Sequence, residues 1–302
     1  MSGRLVDPAR SRIVLIGTAD YQDENLPDLP QVSANVSDLA AVFTDPLIGG
    51  FPEEHCVVVP AWASLEEAGD LLRHAAEEAE DLLLFYYAGH GVLGRSGELY
   101  LGMHQTRFQA PEYTALRFET VRGTFLDSPA ANRAVIVDSC YSGRAIGQTM
   151  AAQEQQVLGQ LEISGSYLLT SSSPNSPALV LEGEEHTAFT GRLLSLLRGG
   201  SPLAGDALSL GDVYRHLYTR LRADGLPPPQ QRGTGTADLL RLVRNSCSRI
   251  IRDSAEAAAL PEALRAGLGG EYSRARVASV EELARWLAEF IRDLIADSYK
   301  SW

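Results

Sequence analysis

The sequence predicts an α/β fold: a mainly parallel central sheet flanked by helices, with a small helical appendage at the C-terminal end. Three observations carry that prediction. Residues 82–88 and 134–137 are short, nearly unbroken apolar runs, the mark of strands buried on both faces of a parallel sheet. Segments with helical period alternate with such runs, as in doubly covered sheets. Past Ser246 the strand pattern is not resumed, and the remaining residues read as helix.

Taken in order, residues 12–17 form the first strand. The loop 18–31 follows, with Pro27 and Pro30 and four acids, Asp20, Asp23, Glu24 and Asp28. Residues 35–43 predict a helix with Val36, Leu39, Ala40 and Phe43 on one face. After the turn at Gly49-Gly50-Phe51-Pro52, residues 55–59 make the second strand, where Cys56 is a packing residue. Ser64 and Glu67 have capping-box spacing, so a helix starts at Ser64 and runs towards Glu80. Residues 82–88 are the third strand, closed by Gly89-His90-Gly91. Residues 98–101 suit a short hairpin strand and 118–126 a helix.

The strand 134–137 stops at Asp138, Ser139 and Cys140. Residues 145–165 are a connector rich in Gln, Ala and Gly. A strand over 167–171, helices over 190–197 and 210–221, a break at Pro227-Pro228-Pro229 and a last strand over 239–243 complete the sheet-bearing part. Ser279 and Glu282 repeat the capping-box spacing, and Leu283, Leu287, Phe290, Ile291 and Leu294 then form one apolar stripe. That helix either packs on its own domain or docks a partner. The expected division is 1–245 and 246–302.

Composition narrows the function. A hydrophobic content of 45% and a charged content of 22% are ordinary for a globular protein, and a net charge of −13 argues against sequence-independent nucleic-acid binding. No apolar run follows Met1 and no stretch approaches membrane-spanning length, so neither a signal peptide nor a membrane is expected. Three cysteines, Cys56, Cys140 and Cys247, leave no closed disulfide set, which suits a cytoplasmic location.

A lone cysteine is ordinarily a small buried hydrophobe. Here two strands share one kind of ending, His90 on one and Cys140 on the other. Side by side and parallel, they bring an imidazole and a thiol to the carboxyl edge of the sheet, where ligands bind. That pair is what a cysteine nucleophile needs: a base to hold the thiolate and an acid for the leaving amine.

The residues Tyr-Ala-Gly-His-Gly at 87–91 and Asp-Ser-Cys-Tyr-Ser-Gly at 138–143 resemble the two motifs of caspase-like cysteine peptidases. The likeness is to the metacaspase and bacterial caspase-like branch, and it covers roughly residues 10–245. It implies a caspase-like fold, with Cys140 attacking the scissile carbonyl and His90 moving the proton. The oxyanion would meet the backbone N–H groups of Gly91 and Cys140. In that family a backbone carbonyl orients the histidine, and its place falls near Pro27.

The same resemblance speaks to the S1 pocket. Where aspartate-cleaving caspases carry arginines, this chain has Leu29 and Val180. Metacaspases place an acid two residues before the nucleophile, and Asp138 stands there. It would pair with a guanidinium or ammonium, giving cleavage after Arg or Lys; the plainer reading is a strand-end residue that caps backbone N–H groups. Asn35 replaces a second family acid, for which Asp28 could substitute. The calcium cluster of metacaspases falls on 92–107, where Glu98 is the only acid, so no calcium or other cofactor is expected.

Two motifs are decoys. Gly89-His90-Gly91-Val92-Leu93-Gly94 fits a dinucleotide fingerprint but is not followed by a helix pattern. A nucleophile elbow needs glycine where Asp138 stands. The reading is thus a cytoplasmic cysteine endopeptidase acting on peptide or protein substrates. An activating partner or a small signalling nucleotide would engage it at or near the C-terminal segment, and the resemblance implies a role in antiviral defence or cell death. The alternative is a catalytically silent caspase-fold scaffold that acts through that segment.

Overall fold

The computed structural model describes residues 4–142 (140–142 by backbone alone), 165–171, 183–233 and 236–248, with 157, 159–161, 163 and 181. The chain divides into two compact units, 1–246 and 247–302. The predicted apolar stripe at 283–294 and most of the connector at 145–165 lie outside the described residues.

Ten strands and six helices are described in the first unit. The strands are β1 (Arg12–Gly17), β2 (Cys56–Val58), β3 (Leu82–Leu93), β4 (Leu99–Leu101), β5 (Leu116–Arg117), β6 (Asn132–Ser142), β7 (Ser166–Thr170), β8 (Ala207–Ser209), β9 (Gln230–Gly233) and β10 (Arg241–Arg244). The helices are α1 (Gln31–Thr44), α2 (Leu65–Glu78), the single turn α3 (Pro111–Thr114), α4 (Phe118–Asp127), α5 (Ala188–Gly199) and α6 (Leu210–Ala223). The main sheet runs β2-β1-β3-β6-β7-β9, and β10 pairs with β8 in a separate ribbon. Every neighbouring pair from β2 to β7 is parallel, and β9 is antiparallel to β7. This is the mainly parallel, helix-flanked sheet that the alternating pattern predicts.

Strand periodicity sorts the core into two layers. Ile13, Leu15, Leu84, Tyr86, Ala134, Ile136 and Leu169 face the side covered by α1, α5 and α6. Val14, Ile16, Leu83, Phe85, Tyr87, Val135 and Val137 face the side covered by α2 and α4. Ser64 does cap α2: its hydroxyl accepts from Glu67 N while the Glu67 carboxylate accepts from Ser64 N. A second box, Ser209 with Asp212, caps α6; the shorter acid there escapes a search for Glu or Gln.

One expectation is corrected. His90 and Cys140 do not stand at strand ends. Gly91, Val92 and Leu93 continue β3 because β4 returns antiparallel against them, Gly91 opposite Leu101 and Leu93 opposite Leu99. Parallel pairing of β3 with β6 also runs on, to Val92 opposite Ser142. The hairpin supplies partners for backbone groups that would otherwise finish the strand unpaired.

Candidate active site

Position comes from the register of the two central strands. Leu82 pairs with Asn132 and the match holds residue by residue, so that His90 stands directly opposite Cys140. His90 and Cys140, with 49 residues between them in the sequence, are thereby neighbours across one strand spacing, about 4.8 Å. Gly91 follows immediately, opposite Tyr141, so its peptide and that of Cys140 lie in adjacent strands one position apart. Pairing of β6 with β7 reaches only Val137 and Thr170, and among the described residues no strand pairs with the outer edge of β6 at Cys140.

His90 is partly buried, and its Nε2 lies 2.7 Å from the carbonyl oxygen of Pro27. A carbonyl can only accept, so Nε2 carries the proton and Nδ1 is left as the basic nitrogen. The 18–30 loop thus sets the tautomer as well as the ring orientation. Burial pushes the imidazole below its ordinary value of 6.5, and the bond to Pro27 opposes that shift. Neutral His90 is therefore the form present at pH 7, suited to taking a proton from a thiol. The acid limb of kcat/KM is expected below pH 6.5, because activity is lost only as falling pH protonates this depressed group. A pH–rate profile checks this, and an acid limb above 6.5 would contradict it.

Asp138 and Asn35 are brought together; Asp28 is not. Asp138 is 2% exposed, and its Oδ2 accepts hydrogen bonds from the hydroxyls of Thr187 (2.5 Å) and Thr190 (2.7 Å) at the start of α5. Asn35, wholly buried on α1, donates through Nδ2 to Thr187 Oγ1 at 2.8 Å and accepts from Thr187 N at 3.2 Å. Tyr86 lies 2.8 Å from Thr190 Oγ1. Thr190 gives its one hydroxyl proton to Asp138, so the phenol is the donor in that pair. Burial raises the Asp138 carboxyl above its ordinary value, and the hydrogen bonds from Thr187 and Thr190 offset only part of that rise. A carboxylate at a helix N-terminus is favoured by the helix dipole. Asp28 lies apart on the exposed loop, where Oδ1 accepts from Tyr21 N at 2.9 Å. Leu29 packs against the core, and Val180 lies outside the described residues.

Sequence reasoning missed Thr187, Thr190 and Tyr86, and it missed Tyr21, whose hydroxyl reaches His90 N. Nothing local marks them, since each acts through a residue far away in the chain. Among the described residues no group of three or more His, Cys, Asp and Glu side chains could hold a metal ion, and no helix is long and apolar enough to cross a membrane.

The sequence profile of the family described as "Caspase domain" matches residues 10–244. Among solved structures, caspase-1 from Spodoptera frugiperda aligns with a TM-score of 0.51 and 15% identity, over 76% of this chain and 88% of that one. A structure described as pro-sf-caspase-1 aligns with a TM-score of 0.49 and 15% identity, over 74% and 91%. No curated protein matches the chain. At this identity the first of these solved structures shares the fold, and the profile match supplies the family.

Proposed function

Because the chain belongs to the caspase domain family of cysteine peptidases, we propose that it is an endopeptidase that uses Cys140 and His90 to cut after arginine, with lysine as the second choice. The observation that supports this most is the register that sets His90 opposite Cys140. In the proposed reaction neutral His90 Nδ1 takes the thiol proton, and the sulfur attacks the scissile carbonyl. The tetrahedral oxyanion accepts from the N–H groups of Gly91 and Cys140. His90 then gives its proton to the leaving amine, and water releases the acyl group from sulfur. Turnover of arginyl peptides that disappears in Cys140→Ala tests the assignment.

Preference for a basic residue is drawn from Asp138. The buried carboxylate with a helix N-terminus behind it would gain a full counter-charge from a substrate guanidinium, which reaches it when the Thr187 side chain turns away. Asp138→Asn keeps the shape and removes the charge. It is expected to lower kcat/KM for an arginyl peptide about 30-fold or more, from the roughly 2 kcal/mol lower bound for a broken buried charge pair. The matched citrullyl peptide should lose far less. Equal losses on both peptides would assign Asp138 to the fold alone.

Residues 1–245 are assigned as the peptidase domain and 246–302 as the segment through which an activating partner or a small signalling nucleotide acts. The proposed setting is cytoplasmic, in cell death or antiviral defence.

A further inference from the structure

We propose that Tyr21 is the positioning residue of the dyad: its phenol holds the peptide of His90 while the loop that carries it holds the imidazole. This rests on the peptidase reading of His90 given above.

Two contacts from one loop fix both ends of the histidine. His90 N donates to Tyr21 Oη at 2.9 Å, and six residues further along the same loop Pro27 O accepts from Nε2 at 2.7 Å. The two rings also touch, with centroids 4.8 Å apart and planes inclined at 51°. A side chain held at its backbone and at its distal nitrogen keeps its Nδ1 aimed in one direction.

The loop is itself braced. Tyr21 N donates to Asp28 Oδ1 at 2.9 Å and Leu29 N to Ala19 O at 2.7 Å, closing the loop around Pro27. Gln22 N donates to His104 O at 3.0 Å, and Phe108 N to Asp23 Oδ2 at 2.8 Å, tying it to the segment after β4. Two glycines make room for the phenol: a Cβ at Gly89 would lie 2.7 Å from Tyr21 Oη, and one at Gly102 would lie 3.2 Å from Tyr21 Cε1. At the carbonyl of His90, in the next peptide, Tyr87 Oη stands between His90 O and Gly102 O, at 2.8 and 2.9 Å. Burial pushes the Tyr21 phenol up to about 12, so it stays a neutral hydroxyl throughout the working pH range.

Tyr21→Phe keeps the ring and deletes the acceptor. The expected result is a kcat about tenfold lower with KM within twofold of wild type, consistent with a loss of about 1.4 kcal/mol of positioning. In the proton NMR spectrum the His90 Nε2–H resonance should broaden or vanish, because the ring is no longer fixed against Pro27. Tyr21→Gln, which offers a side-chain carbonyl to His90 N, should recover part of both signals. A role confined to packing the ring predicts the reverse order, with Phe near wild type and Gln worst. The resonance is read without substrate, so a wild-type chain that fails to cut peptides would sink the peptidase reading and leave this test intact. An unchanged Nε2–H signal in Tyr21→Phe, with or without a fall in kcat, overturns the proposal. If the phenylalanine variant does not fold, the glutamine variant decides: a retained resonance supports the proposal, and a lost one overturns it.

Discussion

Cys140→Ala is expected to reduce arginyl-peptide turnover to background, a loss on the order of 10⁶-fold by analogy with nucleophile deletions in hydrolases of the same logic. Alanine removes the only atom that can form the acyl intermediate and leaves the strand pairing at 140 unchanged. His90→Ala removes the proton carrier and should cost about 10² to 10⁴-fold. Residues that act as a unit are not additive, so the double variant should be no slower than Cys140→Ala alone. Peptide hydrolysis by the three variants, with melting curves to confirm folding, checks the set. Turnover that survives in Cys140→Ala would place the nucleophile elsewhere.

The second large effect is expected at Gly89, next to the histidine. Its φ is +151°, a backbone conformation that side chains rarely adopt, and a Cβ there would meet Tyr87 Oη at 2.6 Å and Tyr21 Oη at 2.7 Å. Both hydroxyls are engaged in hydrogen bonds around the His90 peptide, so neither yields without cost. Backbone strain of about 1 to 3 kcal/mol and overpacking of similar size put Gly89→Ala roughly 2 to 6 kcal/mol below wild type. For a domain of this size that lowers Tm by about 5 to 20 °C. Calorimetry measures the shift. A variant that melts within a degree of wild type and turns over normally would show that neither the φ nor the two hydroxyls constrains this position.

The parts of the fold legible in the sequence were those specified by local chemistry. Residues 12–17 form a strand as predicted, and Ser64 with Glu67 starts α2 at the predicted place. Helix α1 begins at Gln31, four residues before the predicted Asn35, because Pro30 with helical backbone angles serves as its N-cap. The continuation of β3 to Leu93 was not legible, since it depends on a return strand that pairs with it.

The site divides in the same way. His90 and Cys140 were legible because each lies in a compact motif. The groups that position and surround the two sites act at long range: Tyr21 on His90 across 69 residues, and Thr187 and Thr190 on Asp138 across 49 and 52. A threonine at a helix start ordinarily signals a cap. Only the packing of α5 against β6 turns those two hydroxyls towards a buried carboxylate.

The most direct test of the dyad is the pH dependence of Cys140 alkylation by iodoacetamide, read by peptide mass spectrometry in wild type and in His90→Ala. Cys56 is a built-in reference, since burial lifts its thiol to about 12 and keeps it unreactive. Near pH 7 wild-type Cys140 should alkylate faster than in His90→Ala, because neutral His90 takes the thiol proton as the sulfur attacks. The two profiles should converge above the ordinary thiol value of about 8.5, where the thiolate forms unaided. Identical profiles in the two proteins would mean that the imidazole does not act on the sulfur.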